Sequence, residues 1–242
     1  MLVFQKSFYF DYLKTNLSLD VSIASYNSLR KLITQNGILE NLDVSILANA
    51  TGINGLIFSS DGYMIIQQRK NNVLIRPGEI CSGFSGTIDF IDINHVNEAG
   101  GTLDKLDILR EMVEELGVNR DEIKSRKFLG ITRELIRGGT PEFFYAVDVN
   151  LTGEEIISRI PKDKEGFIKK VQLGTFACSE LTCRENLADY FWEFIKTIKK
   201  DFGGTLSIPF LTNLVLWYKS NYPTQVGASI LNEGQDVVSN IT

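Results

Sequence analysis

Hydrophobic and polar positions change rhythm several times along this chain. Residues 55–60 (Gly-Leu-Ile-Phe-Ser-Ser) and 63–69 (Tyr-Met-Ile-Ile-Gln-Gln-Arg) are short apolar runs either side of Asp61-Gly62. Asp-Gly supplies the positive-φ positions of a tight turn, so the pattern predicts a β-hairpin. Residues 73–80, with Pro77-Gly78 as a turn, lead into Cys-Ser-Gly-Phe-Ser-Gly-Thr-Ile-Asp at 81–89. Gly83 and Gly86 there suggest backbone brought close to a ligand, or a bulged strand. Two further strands are expected at 127–135 and 142–151, joined across Arg-Gly-Gly-Thr-Pro at 137–141. A short helix at 154–159, a strand at 167–176 and helices at 185–200 and 206–219 complete the series. Residues 223–242 read as irregular.

The period changes to 3.6 in residues 109–118, Leu-Arg-Glu-Met-Val-Glu-Glu-Leu-Gly-Val. Leu109, Met112, Val113 and Leu116 follow the i, i+3, i+4, i+7 spacing of a helix packed on a core. Gly117 suits the position just past a helix end, where positive φ costs glycine little. The expected product is an amphipathic helix, beginning around 103–107, with Glu111, Glu114 and Glu115 on its exposed edge. Like charges at i, i+4 destabilise a helix by about 0.2–0.5 kcal/mol. Such a cluster invites a divalent metal.

Upstream, residues 4–12 are rich in aromatics and read as a strand or an extended arm. Asp20 caps an expected helix over 21–34, closed by Asn36-Gly37. A unit of this size is marginal by itself. Residues 1–50 are therefore expected to form an extension docked on a main domain at 51–242.

Composition narrows the class. The chain has 242 residues, 43% hydrophobic and 23% charged, as in ordinary globular proteins. A net charge of −5 argues against a nucleic-acid binder that relies on a basic surface. Cys81, Cys178 and Cys183 are odd in number, lack metal-ligand spacing and read as reduced thiols. No run is apolar enough to span a membrane and no secretory layout opens the chain. The expectation is a soluble, cytoplasmic protein with a small-molecule substrate and no nucleic-acid or membrane partner. Nothing in the sequence selects an oligomeric state.

The run Arg110-Glu-Met-Val-Glu-Glu-Leu-Gly-Val118 resembles the second half of the Nudix box. The resemblance implies an α/β fold, an α/β/α sandwich with a mixed central sheet, and a hydrolase that holds Mg²⁺ or Mn²⁺. Hard oxygen ligands suit such cations, which bridge carboxylates to phosphate oxygens. By motif position Glu111 and Glu115 are the implied metal ligands. Glu114 is a third ligand or the partner of Arg110. The first half of the box departs from the pattern: Val96 and Thr102 stand where its glycine and glutamate belong. Gly83 and Gly86 look like the strand-turn that offers the metal a backbone carbonyl, here Gly86. A longer spacer then separates them from the helix, and Asp89 and Glu98 are candidates for the missing carboxylate.

A longer likeness runs to the Nudix hydrolases that cleave UDP-glucose and UDP-galactose. It is carried by 9–16 (Tyr-Phe-Asp-Tyr-Leu-Lys-Thr-Asn), 47–52 (Leu-Ala-Asn-Ala-Thr-Gly), 61–69, 129–133 (Leu-Gly-Ile-Thr-Arg) and 141–145 (Pro-Glu-Phe-Phe-Tyr). It implies hydrolysis of a nucleotide sugar to UMP and a sugar 1-phosphate, with the N-terminal unit helping to form the pocket. ADP-ribose or another nucleotide is the alternative substrate, and a non-catalytic nucleotide-sugar sensor the alternative class.

Other residues carry two readings each. Arg69 ends a strand and either binds a phosphate or faces water. Gly83 and Gly86 are candidates for substrate contact as well. Glu142 follows the Gly-Gly loop, as an extra metal ligand or base, or as an edge carboxylate. His95, the single histidine, is more readily a solvated loop residue than a catalytic one. Phe8, Tyr9, Phe10 and Tyr12 either stack on a base or pack in a core.

Overall fold

The computed structural model describes residues 9–16, 34–35, 38–39, 41–45, 47–73, 76–88, 108–160, 166–172 and 187–221. The expected helix over 21–33, Cys178 and Cys183, and the candidates Asp89, His95 and Glu98 lie outside these residues, as does the irregular end.

The class is α/β. Helices are α1 (Tyr9–Lys14), α2 (Leu109–Leu116), α3 (Gly153–Arg159), α4 (Leu187–Phe202) and α5 (Ile208–Asn221). Strands are β1 (Thr34–Gln35), β2 (Ile38–Leu39), β3 (Gly52–Phe58), β4 (Tyr63–Arg69), β5 (Ile80–Cys81) and β6 (Phe84–Thr87). They continue with β7 (Ile123–Glu134), β8 (Thr140–Val149) and β9 (Gly166–Gln172). The main sheet has seven strands, ordered β5-β4-β3-β8-β7, with β6 on β3 and β9 on β4. Single turns of 3-10 helix lie at Arg120–Glu122 and Leu135–Arg137.

The expected hairpin forms as β3–β4, with Ile57 opposite Ile65 and Phe58 opposite Met64. Gly62 takes φ 82° at its tip. β4 is then flanked on its far edge by β9, from Tyr63 opposite Gln172 to Arg69 opposite Gly166. β3 is buried at every position, and β8 at all but Asp148. Near-continuous apolar runs of this kind belong to strands covered on both faces.

Two expectations change. Tyr9–Lys14 is helical rather than extended. Its aromatics fall at positions 9, 10 and 12, which neither alternate nor exclude helix, so the alternation test had no purchase there. Thr34 belongs to a strand paired with Leu39, not to the end of a helix.

The chain divides into two compact units. One comprises Met1–Ile53, Gly86–Ile108 and Gly130–Phe143; the other comprises Asn54–Ser85, Leu109–Leu129 and Phe144–Thr242. The first therefore begins with the expected N-terminal extension but also takes two later segments. Within it, Asn16 is fully buried and donates from Nδ2 to the Arg137 carbonyl (2.7 Å) and to Asn49 Oδ1 (3.0 Å). The extension is thus tied to the turn before β8 through satisfied buried polar groups.

The second unit holds an apolar core of Leu56, Met64, Ile66, Phe191, Phe210 and Leu214 with their neighbours. Phe58 stacks on Trp217 at 5.0 Å between ring centroids. Gly55 has no room for a side chain, because a Cβ there would overlap the Phe84 ring. Cys81 is a free thiol, and burial raises its pKa to about 11. Among the described residues no helix is long and apolar enough to cross a membrane.

Candidate active site

The carboxylates are delivered by α2. Gly117 ends it in the left-handed conformation (φ 64°), its N–H donating to the Val113 carbonyl at 2.9 Å. That bond is the αL form of helix capping, and the Val118 N–H donates to the Met112 carbonyl at 3.3 Å beside it. The helix is not rotated as its hydrophobic pattern suggests. Ile108, Met112, Leu116 and Val118 are buried, but Val113 is 42% exposed. Glu111, expected on the exposed edge, is only 8% exposed, and Glu115 is half-buried. Residues advance about 100° per step around a helix. Turning Met112 and Leu116 inward therefore carries Glu111 and Glu115 in on their flank and Val113 and Glu114 out. Burying a carboxylate while exposing a valine runs against the hydrophobic effect. Polar contacts on the Glu111–Glu115 edge offset it.

Arg110 makes the first of these contacts. Its Nη2 donates to Glu111 Oε1 at 2.7 Å and its Nη1 to Glu114 Oε2 at 3.1 Å. Glu114 thus takes the Arg110-partner role, with a side chain 59% exposed. Even with that guanidinium beside it, the Glu111 carboxyl is pushed up to about 7. Burial is the largest cause, and the neighbouring Glu115 and Glu114 charges add to it. A carboxylate whose pKa is raised by burial and like charge is a candidate for a functional role.

The second contact comes from Gln67 on β4, a residue the sequence reading passed over. Its Nε2 donates to the Gly83 carbonyl at 3.0 Å and also to Glu115 Oε2. Gln67 is itself buried. One amide nitrogen therefore joins the Gly83 backbone oxygen to the α2 carboxylate. Gly83 sits where a Cβ would come within 2.8 Å of the Ile65 carbonyl, so the approach that brings its carbonyl here excludes larger residues. The signal available in the sequence was a polar residue following Met64-Ile-Ile66 in a strand. A buried amide there must find partners.

Glu111, Glu115 and the Gly83 carbonyl are all hard oxygen donors, the set that suits Mg²⁺ or Mn²⁺. Among the described residues, no group of three or more His, Cys, Asp or Glu side chains stands close enough to hold a metal ion together. Gln67 brings the Glu115 carboxylate and the Gly83 carbonyl together, Glu111 lies one turn before Glu115 on the same helix, and Glu114 is turned toward Arg110. Gly86, expected to give the carbonyl, lies on β6 within the other unit. Arg69 ends β4, its backbone N–H donating to the Glu79 carbonyl at 2.9 Å.

Glu142 also belongs to the other unit, where it is 4% exposed at the start of β8. It is packed tightly against Gly52, where a Cβ would overlap its carboxylate. It is thus not a water-facing edge carboxylate. The buried Tyr12 phenol feels the charges of Glu142, Glu134 and Arg137 and hydrogen-bonds with Thr140, and Glu134 Oε2 lies 3.5 Å from Arg137 Nε. Burial raises the Tyr12 phenol above its usual range. Its place in this interior is the core reading of that aromatic.

No family model matches the chain, and no curated protein is similar to it. Solved structures do share part of its path. One is DR0079 from Deinococcus radiodurans, 14% identical over 66% of this chain and 86% of that one, with a TM-score of 0.37. Another is a MutT protein from Methanosarcina mazei Go1, 16% identical over 63% and 94%, with a TM-score of 0.35. A third is a MutT from a study of Aliivibrio salmonicida and Vibrio cholerae, 14% identical over 61% and 98%, with a TM-score of 0.33.

Proposed function

We propose that this chain is a metal-dependent pyrophosphatase of the Nudix type. Its substrate class is a nucleoside diphosphate sugar, UDP-glucose or UDP-galactose first. The products are a nucleoside monophosphate and a sugar 1-phosphate, formed as water adds across one P–O bond of the diphosphate. The observation that carries this reading is the rotation of α2, which buries Glu111, half-buries Glu115 and exposes Val113. Hydrophobic burial alone selects the opposite rotation. A cation site explains why the carboxylates are held inward.

Glu111, Glu115 and the Gly83 carbonyl would hold Mg²⁺ or Mn²⁺. When bound, the ion supplies neutralisation of the diphosphate and lowers the pKa of a bound water. Arg110 orients Glu111 and keeps Glu114 on the outer side of the helix. Roles for Arg69 in phosphate binding, for Gly86 in metal or substrate contact, and for Glu142 as a further ligand or base remain part of the proposal.

The test is product analysis with a panel of nucleotide sugars, ADP-ribose and nucleoside triphosphates in Mg²⁺, with Glu115→Gln beside the wild type. Turnover of a UDP-sugar is expected, with a loss of about 10²-fold or more in the variant, the scale of removing a key electrostatic group. Preference for ADP-ribose would move the substrate class and keep the reaction. Binding of a UDP-sugar without turnover under any divalent ion would identify a sensor instead. Unchanged activity in Glu115→Gln would remove the metal assignment.

A further inference from the structure

We infer that Gln67 is a built-in stand-in for the cation, filling its place in the metal-free protein and giving way when the ion arrives. The inference rests on the reading of Glu115 and the Gly83 carbonyl as cation ligands. The two oxygens belong to different elements, a helix and the turn between β5 and β6. In the metal-free chain, two electron-rich groups facing each other repel. Gln67 lies between them and donates to both from one nitrogen. An amide NH₂ has two hydrogens and a partial positive charge, so it can satisfy both oxygens at once. A divalent ion bridging the same pair needs the same space.

Gln67 therefore competes with the ion. A hydrogen bond to a charged group contributes to the metal-free state and must be surrendered on loading. The arrangement holds the site's geometry before the ion enters, at the cost of affinity. It favours an ion that exchanges readily over one locked in place. The neighbouring Gln68 marks the contrast. It points to the opposite side of β4 and donates to the carbonyls of Phe202 (2.9 Å) and Gly203 (2.6 Å). Gln68 anchors the end of α4 and has no part in the carboxylate edge.

The experiment is Mn²⁺ binding to the purified full chain, read by the electron paramagnetic resonance signal of free Mn²⁺, with thermal unfolding in chelator alongside. In Gln67→Leu, Mn²⁺ is expected to bind about threefold to tenfold more tightly, because the competing hydrogen bond is gone. The same variant should unfold at lower temperature in chelator and regain more of the difference on adding Mn²⁺ than the wild type gains. Gln68→Leu should leave Mn²⁺ affinity within about twofold. Should Gln67→Leu not fold, Gln67→Met keeps the volume and also lacks the donor, and carries the same expectation.

Weaker Mn²⁺ binding in Gln67→Leu or Gln67→Met, with wild-type binding intact and Glu115-dependent, overturns the stand-in role and leaves the pyrophosphatase reading in place. Absence of Mn²⁺ binding to the wild type overturns both.

Discussion

Two regions bury carboxylates in this molecule, and they compensate them differently. At the start of β8, Glu134 and Glu142 are each 4% exposed, with Arg137 the nearby cation and Tyr12 and Thr140 around them. On α2, Glu111 shares the Arg110 guanidinium with Glu114, and Glu115 receives a neutral amide from Gln67. The first is an internal polar cluster with its counter-charge built in. The second sets three carboxylates close together along one helix edge, and burial with the neighbouring Glu115 and Glu114 charges raises the Glu111 pKa. Buried charge that is paired locally contributes to structure. Buried carboxylates crowded by like charge are candidates for a functional role.

The comparison can be broken most directly at Arg137. Arg137→Met should cost about 3–5 kcal/mol, because it leaves Glu134 buried without its cation. Urea unfolding measures it, and a cost under about 1 kcal/mol would mean the Glu134 cluster does not depend on its arginine. The opposite sign is expected on α2. Glu111→Gln should stabilise the metal-free chain at pH 8 by about 1–3 kcal/mol, since it removes a charge held at a cost.

The pH dependence sharpens the point. The folded pKa of Glu111, about 7, lies above the unfolded value of 4.5. Between those values the folded state binds more protons than the unfolded one. Stability of the metal-free chain is therefore greatest below the window and falls as pH rises through it. Glu111→Gln should flatten that slope. The smallest effect is expected at Val113→Lys, within about 0.5 kcal/mol, because an exposed side chain has little to lose. A large loss there would mean the helix is rotated the other way.

Much of the framework was legible from local chemistry. Asp61-Gly62 announced its hairpin because only a few residues take positive φ cheaply. Gly117 marked the end of α2 for the same reason. The apolar runs of β3 and β8 announced buried strands. The carboxylate set was legible as a motif, but its orientation was not. Met112, Val113 and Leu116 offer the same apolar surface under two rotations, and only the contacts of Glu111 and Glu115 choose between them. Gln67 was hidden because a single polar residue in a strand looks the same whether it faces water or a buried carbonyl. The two-unit division was hidden too. It joins segments far apart in sequence, as Asn16 and Arg137 are, and no local pattern encodes such contacts.

That tether has a temporal meaning. Asn16 and the Arg137 carbonyl are separated by 121 positions. A chain made from its N-terminus presents Asn16 long before its acceptor exists. Asn49, another partner of Asn16, comes early, but the Arg137 acceptor arrives only when the turn before β8 has left the ribosome. Contacts of such sequence separation form late and slow the folding of the domains that need them. The bond from Asn16 to Arg137 is thus completed long after Asn16 itself is made.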